Sequence, residues 1–213
     1  MPLSIEVGRT AVTLARETLE AHVSGKEFKL KTWERGTFTE LRGVFVTINL
    51  ATSTVEKLRG CIGFPYPVKP LGQAIQEATV AAASEDPRFP PVTRQELGSV
   101  VVEVSILTPP QAILAPTPRE LPSLVRIGTD GLIVSRYGFS GLLLPQVATE
   151  YSMDPTEFLS QTCMKAGLPP DSWLEEGTEV KAFQAEIFAE RKPRGEVVRT
   201  GEPELRKDTP SET

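Results

Sequence analysis

The sequence has few of the residues on which metal and thiol chemistry depend: two cysteines and one histidine among 213 residues. A structural zinc ion usually takes four cysteine or histidine ligands, which this chain cannot supply alone. Cys61 and Cys163 lie far apart in sequence and give no disulfide framework. We therefore assign no metal ligands and leave any cofactor unknown, although a carboxylate site for a harder metal stays open.

The sequence also lacks long apolar runs and a net positive charge. No run approaches the ~20 apolar residues that span a bilayer. The opening "MPLSIEVGRT" lacks the basic and apolar blocks of a secretory signal. The formal net charge is −5, which argues against a nucleic-acid partner because phosphate binding needs a basic face. We expect a cytoplasmic protein with reduced thiols and no membrane partner.

Common catalytic signatures are absent as well. The chain contains no dinucleotide-binding, P-loop, zinc-protease or nucleophile-elbow motif. The usual nucleotide-binding and hydrolase classes therefore have no support in the sequence, and any site must be found from individual residues.

The first half of the chain alternates between helical and strand periodicity. Apolar residues at three- and four-residue spacing predict a helix over residues 4–24. "GVFVTINL" and "LRGCIGF" predict the two strands of a hairpin, and "PLGQAIQEATVAAASED" predicts a helix. "SVVVEVSIL" is apolar on both faces, which is typical of a central strand.

The second half repeats this order. "GTDG" predicts a hairpin turn between strands Leu124–Ile127 and Leu132–Tyr137. The strand "GLLLP" follows, then a helix capped by Asp154, then the strand "VKAFQAEIF".

The order strand, strand, helix, strand thus occurs twice. It predicts an α+β fold in which two related halves share an antiparallel sheet with flanking helices. We expect one domain over residues 1–192, and a polar, flexible tail over residues 193–213.

Cys61 is the first candidate site residue. In a strand, Arg59 and Cys61 point to the same face, so the guanidinium could favour the thiolate. Gly60 and Gly63 lack a Cβ and could admit a ligand or another strand. Cys61 is therefore a nucleophile, the wall of a binding site, or a small apolar residue. A nucleophile of the protease kind needs a histidine base, and nothing brings His22 to Cys61, so we favour the wall over the nucleophile and leave the small apolar residue open.

Glu103 is the second candidate, because it interrupts a strand that is apolar on both faces. Such a carboxylate must be paired, hydrogen-bonded or protonated. Arg59, Arg88 or another arginine could be the partner. Glu103 is either one half of a structural ion pair or a general acid/base or ligand-binding group.

Two further positions complete the candidate site. "EDPRFPP" places Asp86 and Arg88 in a rigid loop, where Arg88 could bind an anion or simply pair with Asp86. Gln146 follows a strand at the position that matches the end of the Cys61 strand in the repeat. The candidate catalytic residues are Cys61 and Glu103, and the candidate ligand-binding residues are Arg59, Gly60, Asp86, Arg88 and Gln146.

Beyond these single residues, several segments resemble the AMMECR-type family, in order, from about Val44 to Glu190. They are "LRGCIGFPYPVKPL", "EDPRFPPV", "VVVEVSILTPP", "DGLIVSRYGFSGLLLPQV" and "FLSQTCMKAGLPPDSWL". The resemblance implies an α+β domain with a larger and a smaller subdomain, a cleft between them and a cytoplasmic location. It also implies that the "LRGCIG" segment, Leu58 to Gly63, is the functional core.

The resemblance does not fix a reaction, so two functions stay open. The first is an enzyme or a small-ligand-binding protein whose arginines hold an anionic group. The second is an interaction or scaffold module in transcription, translation or repair, or one that acts with Memo-type and radical-SAM proteins. This module predicts an exposed apolar patch around Phe64, Tyr66 and Phe89.

Overall fold

The computed structural model describes residues 2–26, 33, 36–51 and 56–200. Within them the chain forms five α-helices and nine β-strands. The helices are α1 (Ile5–Val23), α2 (Leu71–Ser84), α3 (Leu121–Leu124), α4 (Pro145–Glu150) and α5 (Pro155–Lys165). The strands are β1 (Val44–Ala51), β2 (Glu56–Phe64), β3 (Val100–Leu107), β4 (Gln111–Ala112), β5 (Gly131–Arg136), β6 (Phe139–Leu143), β7 (Glu179–Phe183), β8 (Ala185–Glu190) and β9 (Val197–Thr200). No helix in this described part is long and apolar enough to cross a membrane.

The strands form two antiparallel sheets, which confirms the α+β class but replaces the single shared sheet that the pattern suggested. The first sheet has the order β2-β1-β3-β8-β9 and the second the order β4-β7-β5-β6. The spatial orders β2-β1-β3 and β6-β5-β7 are the same arrangement used twice. In chain order, α2 lies between β2 and β3, and α5 lies between β6 and β7. The predicted repeat is therefore present as topology.

Helices α1 and α2 cover one face of the first sheet. Because side chains alternate along a strand, Val44, Val46 and Ile48 of β1 all point to this face and are fully buried. They pack in one core with apolar residues of both helices, including Leu14 and Ile75. These two helices do not cover the opposite face of the sheet.

Helix α5 covers the second sheet and forms a separate core. Phe158, Leu159 and Cys163 are fully buried there, so Cys163 is a packing residue. The helix begins as the sequence predicts: the Asp154 side chain accepts a hydrogen bond from the Glu157 N–H, and Pro155 is the first helical residue.

The chain passes between the two sheets at Thr108 and at Gln184. The Thr108 N–H donates to the Gln184 carbonyl at 2.8 Å, and the Gln184 N–H donates to Thr108 Oγ1 at 2.9 Å. Gln184 therefore breaks the predicted strand "VKAFQAEIF" into β7 and β8. Its side-chain Nε2 donates to Asp130 Oδ1 at 3.1 Å, which ties the crossing to a neighbouring loop.

Two other predicted segments differ from the structure. Leu124–Ile127 is not a strand: α3 ends at Leu124, and the loop that follows is closed by hydrogen bonds from Arg126 to Asp130. The segment expected to be a flexible tail contains β9, which pairs with β8. This short valine-containing stretch forms a strand because it pairs with the free edge of β8. Residues 201–213 lie outside the described residues.

Candidate functional site

Strand β2 carries a bulge at Arg59. Ile48 pairs with Gly60 but the next residue, Asn49, pairs with Leu58. One residue of β2 is therefore left unpaired between them, and it is Arg59. A bulge turns its extra side chain away from the regular alternation of the strand.

The Arg59 side chain fastens the loop that follows α2. It is 7% exposed, and its Nε donates to Glu96 Oε1 at 2.7 Å. Its two terminal nitrogens donate to the carbonyls of Pro90 and Pro91 at 2.7 and 3.0 Å. The expectation that Arg59 lies beside the Cys61 thiol is wrong, because these contacts use the guanidinium elsewhere.

Asp86 and Arg88 contact the main chain of Cys61. The Cys61 N–H donates to Asp86 Oδ2 at 2.9 Å, and Arg88 Nη2 lies 3.3 Å from the Cys61 carbonyl oxygen. Arg88 also pairs with the Asp86 carboxylate through two nitrogens, and it holds the pKa of that carboxyl far below its usual range. The pair thus provides hydrogen-bond partners for the Cys61 N–H and carbonyl at the outer edge of β2.

The glycines of "LRGCIG" serve packing. A Cβ on Gly60 would lie 2.1 Å from the Ala82 carbonyl oxygen, so α2 already fills that space. A Cβ on Gly63 would lie 2.2 Å from the Val44 carbonyl oxygen and against the Phe45 ring. The expected ligand contact over Gly60 is therefore not available.

Cys61, Thr47 and Glu103 lie side by side across three strands. Thr47 of β1 pairs with Cys61 of β2 on one side and with Glu103 of β3 on the other. Directly opposed residues project on one face, and adjacent strands lie about 4.8 Å apart, so Cys61 and Glu103 are about 10 Å apart. Because Gly60 faces α2, this row belongs to the sheet face that the helices leave open.

The Cys61 thiol is half-buried, and Thr47 Oγ1 donates to its sulfur at 3.3 Å. Burial raises the pKa of this thiol above its ordinary value. The Thr47 hydrogen bond and the Arg88 charge oppose that rise, and Glu103 adds to it. The raised pKa favours the protonated thiol over the thiolate. His22 contacts Ser84 of α2 at 3.2 Å, so its described partner is on the other face of the sheet.

A cleft of about 810 Å³ lies between the open face of the first sheet and the second sheet's loops. Glu103 rises from the first sheet, and Gln146 comes from α4 on the opposite side. Hydroxyl and amide groups form much of the remaining lining: Thr108, Thr129, Thr149, Gln184 and Thr200. Of the predicted site residues, Glu103 and Gln146 line this cleft. Cys61 is not among its lining residues, although it lies on the same face of the first sheet, two strands from Glu103. Arg59, Asp86 and Arg88 lie at the outer edge of β2.

One wall of the cleft is an ion pair that the sequence did not indicate. The Leu3 N–H donates to both carboxylate oxygens of Glu186 at 3.0 and 2.9 Å. Arg199 pairs with Glu186 and donates to the Leu3 carbonyl. These contacts join the start of the chain to β8 and β9, and no local pattern could have predicted them.

Two arrangements that the sequence left open are not seen in the described part of the chain. Among the residues that the structure describes, no group of three or more histidine, cysteine, aspartate or glutamate side chains is arranged to hold a metal ion. The predicted apolar patch is not exposed either: Phe64, Tyr66 and Phe89 are half-buried, and the first two pack against the cores.

Comparison with known proteins gives consistent matches over most of the chain. A family model described as AMMECR1 matches residues 12–188. A protein of Methanocaldococcus jannaschii is 50% identical over 197 residues, covering 92% of this chain and 96% of its own. One of Methanothermobacter thermautotrophicus is 52% identical over 190 residues, covering 89% and 97%. The crystal structure of an uncharacterized protein from Pyrococcus horikoshii matches with a TM-score of 0.76 and 48% identity, over 92% of this chain and 98% of that one.

Proposed function

The chain belongs to the AMMECR1 family, and from its cleft we propose that it binds a small polar molecule between its two sheets. The observation that carries the proposal is the pair Glu103 and Gln146, which line one cleft from opposite sides. Its volume of about 810 Å³ falls within the ~300–1,000 Å³ of typical small-molecule sites. In this proposal the two sheets with their helices are the larger and smaller subdomains of the domain predicted over residues 1–192, to which β9 adds residues 197–200.

The lining supports a ligand held by hydrogen bonds. Threonine hydroxyls at positions 108, 129 and 149 both donate and accept, as do the amides of Gln146 and Gln184. Apolar contacts come from Pro145, Ala185 and Ile187. A cleft with a few convergent polar groups among apolar ones fixes the orientation of a ligand as well as holding it.

In this proposal Cys61 lies beside the cleft, on the same face of the first sheet, and takes no chemical part. Its raised pKa keeps the sulfur as a thiol, and a nucleophile or a metal ligand must be a thiolate. Thr47 donates to the sulfur, which leaves the S–H to act as a weak donor toward the open face. A ligand that reaches from Glu103 past Thr47 would contact it without any bond being formed.

The expected anionic group finds no support around "LRGCIG". Arg59 is engaged with Glu96 and two carbonyls, and Arg88 is paired with Asp86. Both arginines instead stabilise the edge of the strand that carries Cys61. The proposed site therefore depends on the cleft and not on these two cations.

Thermal unfolding of two tryptophan variants tests the proposal. Thr129→Trp fills the mouth of the cleft, and Thr13→Trp makes the same change at an exposed position of α1. We would screen amines, amino acids, diols and dicarboxylates for a rise in melting temperature. A ligand at 100 times its Kd adds about 2.7 kcal/mol, which raises the melting temperature of a domain of this size by about 5–10 °C.

The expected result is a compound that stabilises the wild type and Thr13→Trp but not Thr129→Trp. Equal stabilisation of both variants would place the ligand outside the cleft. A screen in which no compound stabilises the wild type would also count against the proposal and would favour the interaction module.

A further inference from the structure

Strand β6 lies at one end of the second sheet, with β5 on its inner side. A two-residue turn joins β5 to β6, and both turn residues have positive φ. In a hairpin of this kind Arg136 and Phe139 are the hydrogen-bonded pair that closes the turn. Because bonded and non-bonded pairs alternate along an antiparallel ladder, the main-chain groups of Ser140 and Leu142 point away from β5.

This outer edge of β6 is unpaired. In the described part of the chain, no hydrogen bond reaches the main-chain N–H or carbonyl of Ser140 or Leu142. The outer edge of β2 differs, because Asp86 and Arg88 bond the main chain of Cys61 there. An uncovered edge is a template for another strand, so β6 is suited to strand addition by an extended peptide.

A groove of about 400 Å³ lies along this edge. Its lining includes residues 140–144, which are β6 and the residue after it. Phe45, Pro65 and Tyr66 line it from the first sheet, and Lys165 lines it from the end of α5. The groove therefore has an aromatic wall and a cationic wall beside an open strand.

The two walls lie on opposite faces of β6. Tyr66 Oη lies 3.1 Å from Ser140 Oγ, so the aromatic wall is on the face to which Ser140 points. A Cβ on Gly141 would lie 2.2 Å from the main-chain nitrogen of Ala166, so Gly141 points to the end of α5, where Lys165 is. An added strand would present successive side chains to the two walls in turn.

The walls favour different side chains. Phe45, Tyr66, Leu142 and Leu144 all pack against one apolar cluster, so their side of the groove favours an apolar residue. Lys165 is exposed, and the ion pairs among the described residues do not include it. A carboxylate is the group that complements a lysine at an interface.

We propose that a partner protein adds an extended segment to β6 as a fifth strand of the second sheet. The segment alternates apolar residues, which face the Tyr66 wall, with acidic residues, which face Lys165. Its main chain bonds Ser140 and Leu142, and the two walls provide the specificity. Among the described residues none lines both this groove and the cleft, so the interaction does not depend on the proposed ligand of the cleft.

Fluorescence anisotropy with short labelled peptides tests this inference. The probes are Val-Glu-Val-Glu-Val and Leu-Glu-Leu-Glu-Leu, capped at both ends, which alternate identically in either strand direction. N-methylation of the apolar residues and N-methylation of the acidic residues give two matched control peptides. Only one of these two sets directs its N–H groups toward β6, so we expect one control to lose binding and the other to keep it.

Charge reversal tests the cationic wall. Lys165→Glu places a carboxylate in the groove, and Lys26→Glu makes the same change at an exposed position after α1. We expect the probes to bind Lys165→Glu about 3–10-fold more weakly than the wild type and Lys26→Glu. A peptide with lysine in place of glutamate should show the reverse preference.

The comparison of peptides on the wild type needs no variant to fold. Failure of both probes to bind the wild type, or an equal effect of the two N-methylated sets, would overturn the strand addition. Equal binding to Lys165→Glu and Lys26→Glu would overturn the acidic pattern. Sedimentation velocity checks the other occupant: a dimer of the free protein that the probes dissociate would place a second copy on this edge in place of a partner.

Discussion

The Asp86 carboxylate accepts a hydrogen bond from the main-chain N–H of Cys61 at 2.9 Å. The two residues are thus joined through the backbone, and the thiol takes no part. Arg88 completes the contact at the Cys61 carbonyl. The loop that carries Asp86 and Arg88 therefore bonds the main chain at the edge of β2, and these bonds hold Cys61 through its backbone.

Removal of this contact should destabilise the fold. Asp86 is 4% exposed, and Asp86→Ala leaves the Cys61 N–H and Arg88 without their acceptor. We expect a loss of about 2 kcal/mol in the free energy of unfolding, measured by urea denaturation. Glu85→Ala changes the exposed neighbouring carboxylate and should stay within ~0.5 kcal/mol of the wild type. Equal losses in both variants would contradict the account.

Acid should weaken the protein through Glu96. Arg59 lowers the pKa of this carboxyl from 4.5 to about 2. The unfolded chain then binds a proton more readily than the folded one, so the stabilisation is present above pH 4.5 and is lost as the pH falls toward 2. Glu96→Gln should be less stable at pH 6, and its stability should fall less between pH 5 and pH 3. Parallel pH curves for the two proteins would show that the pair is not formed.

The glycine at position 60 should tolerate no side chain. Gly60→Ala forces a Cβ against the Ala82 carbonyl of α2, and overpacking of this kind costs about 1–3 kcal/mol or more. Gly98→Ala is the matched control, since a Cβ there meets nothing within 4 Å. We expect the melting temperature to fall clearly for the first variant only. A stable Gly60→Ala protein would mean that α2 lies farther from β2.

The thiol of Cys61 should react slowly with iodoacetamide at neutral pH, because burial raises its pKa. Thr47→Val removes the hydroxyl that donates to the sulfur, so the pKa should rise further and the reaction should need a higher pH. Thr13→Val on α1 should have no effect. Mass spectrometry of the labelled peptides separates Cys61 from the buried Cys163. Rapid labelling of the wild type at pH 7 would support the nucleophile instead.

Elements set by local pattern could be predicted from the sequence. Helix α1 and strands β1 and β3 follow their apolar periodicity, and α5 starts at Asp154 where the cap residue predicts it. The predicted repeat of strand, strand, helix, strand is also seen, as the same strand order in the two sheets. These features depend on residues that are neighbours in the chain.

Features set by distant contacts could not be predicted. The bulge at Arg59 depends on its register against β1, and the break at Gln184 depends on Thr108 and Asp130. Alternation alone would place Arg59 beside Cys61, and an unbroken strand would join β7 to β8. Gln146, which the repeat suggested, and Glu186, which no local pattern suggested, both line the cleft.

The most direct test of the proposed cleft is the set of amide chemical-shift changes when the compound that most stabilises the wild type in the thermal screen is titrated into ¹⁵N-labelled protein. We expect saturable changes that cluster around Glu103, the 128–129 loop, the start of α4 and Gln184–Ile187. The outer edge of β2, including Asp86 and Arg88, should change little. Changes centred on that edge, or no saturable change in the cleft, would contradict the binding site described for this fold.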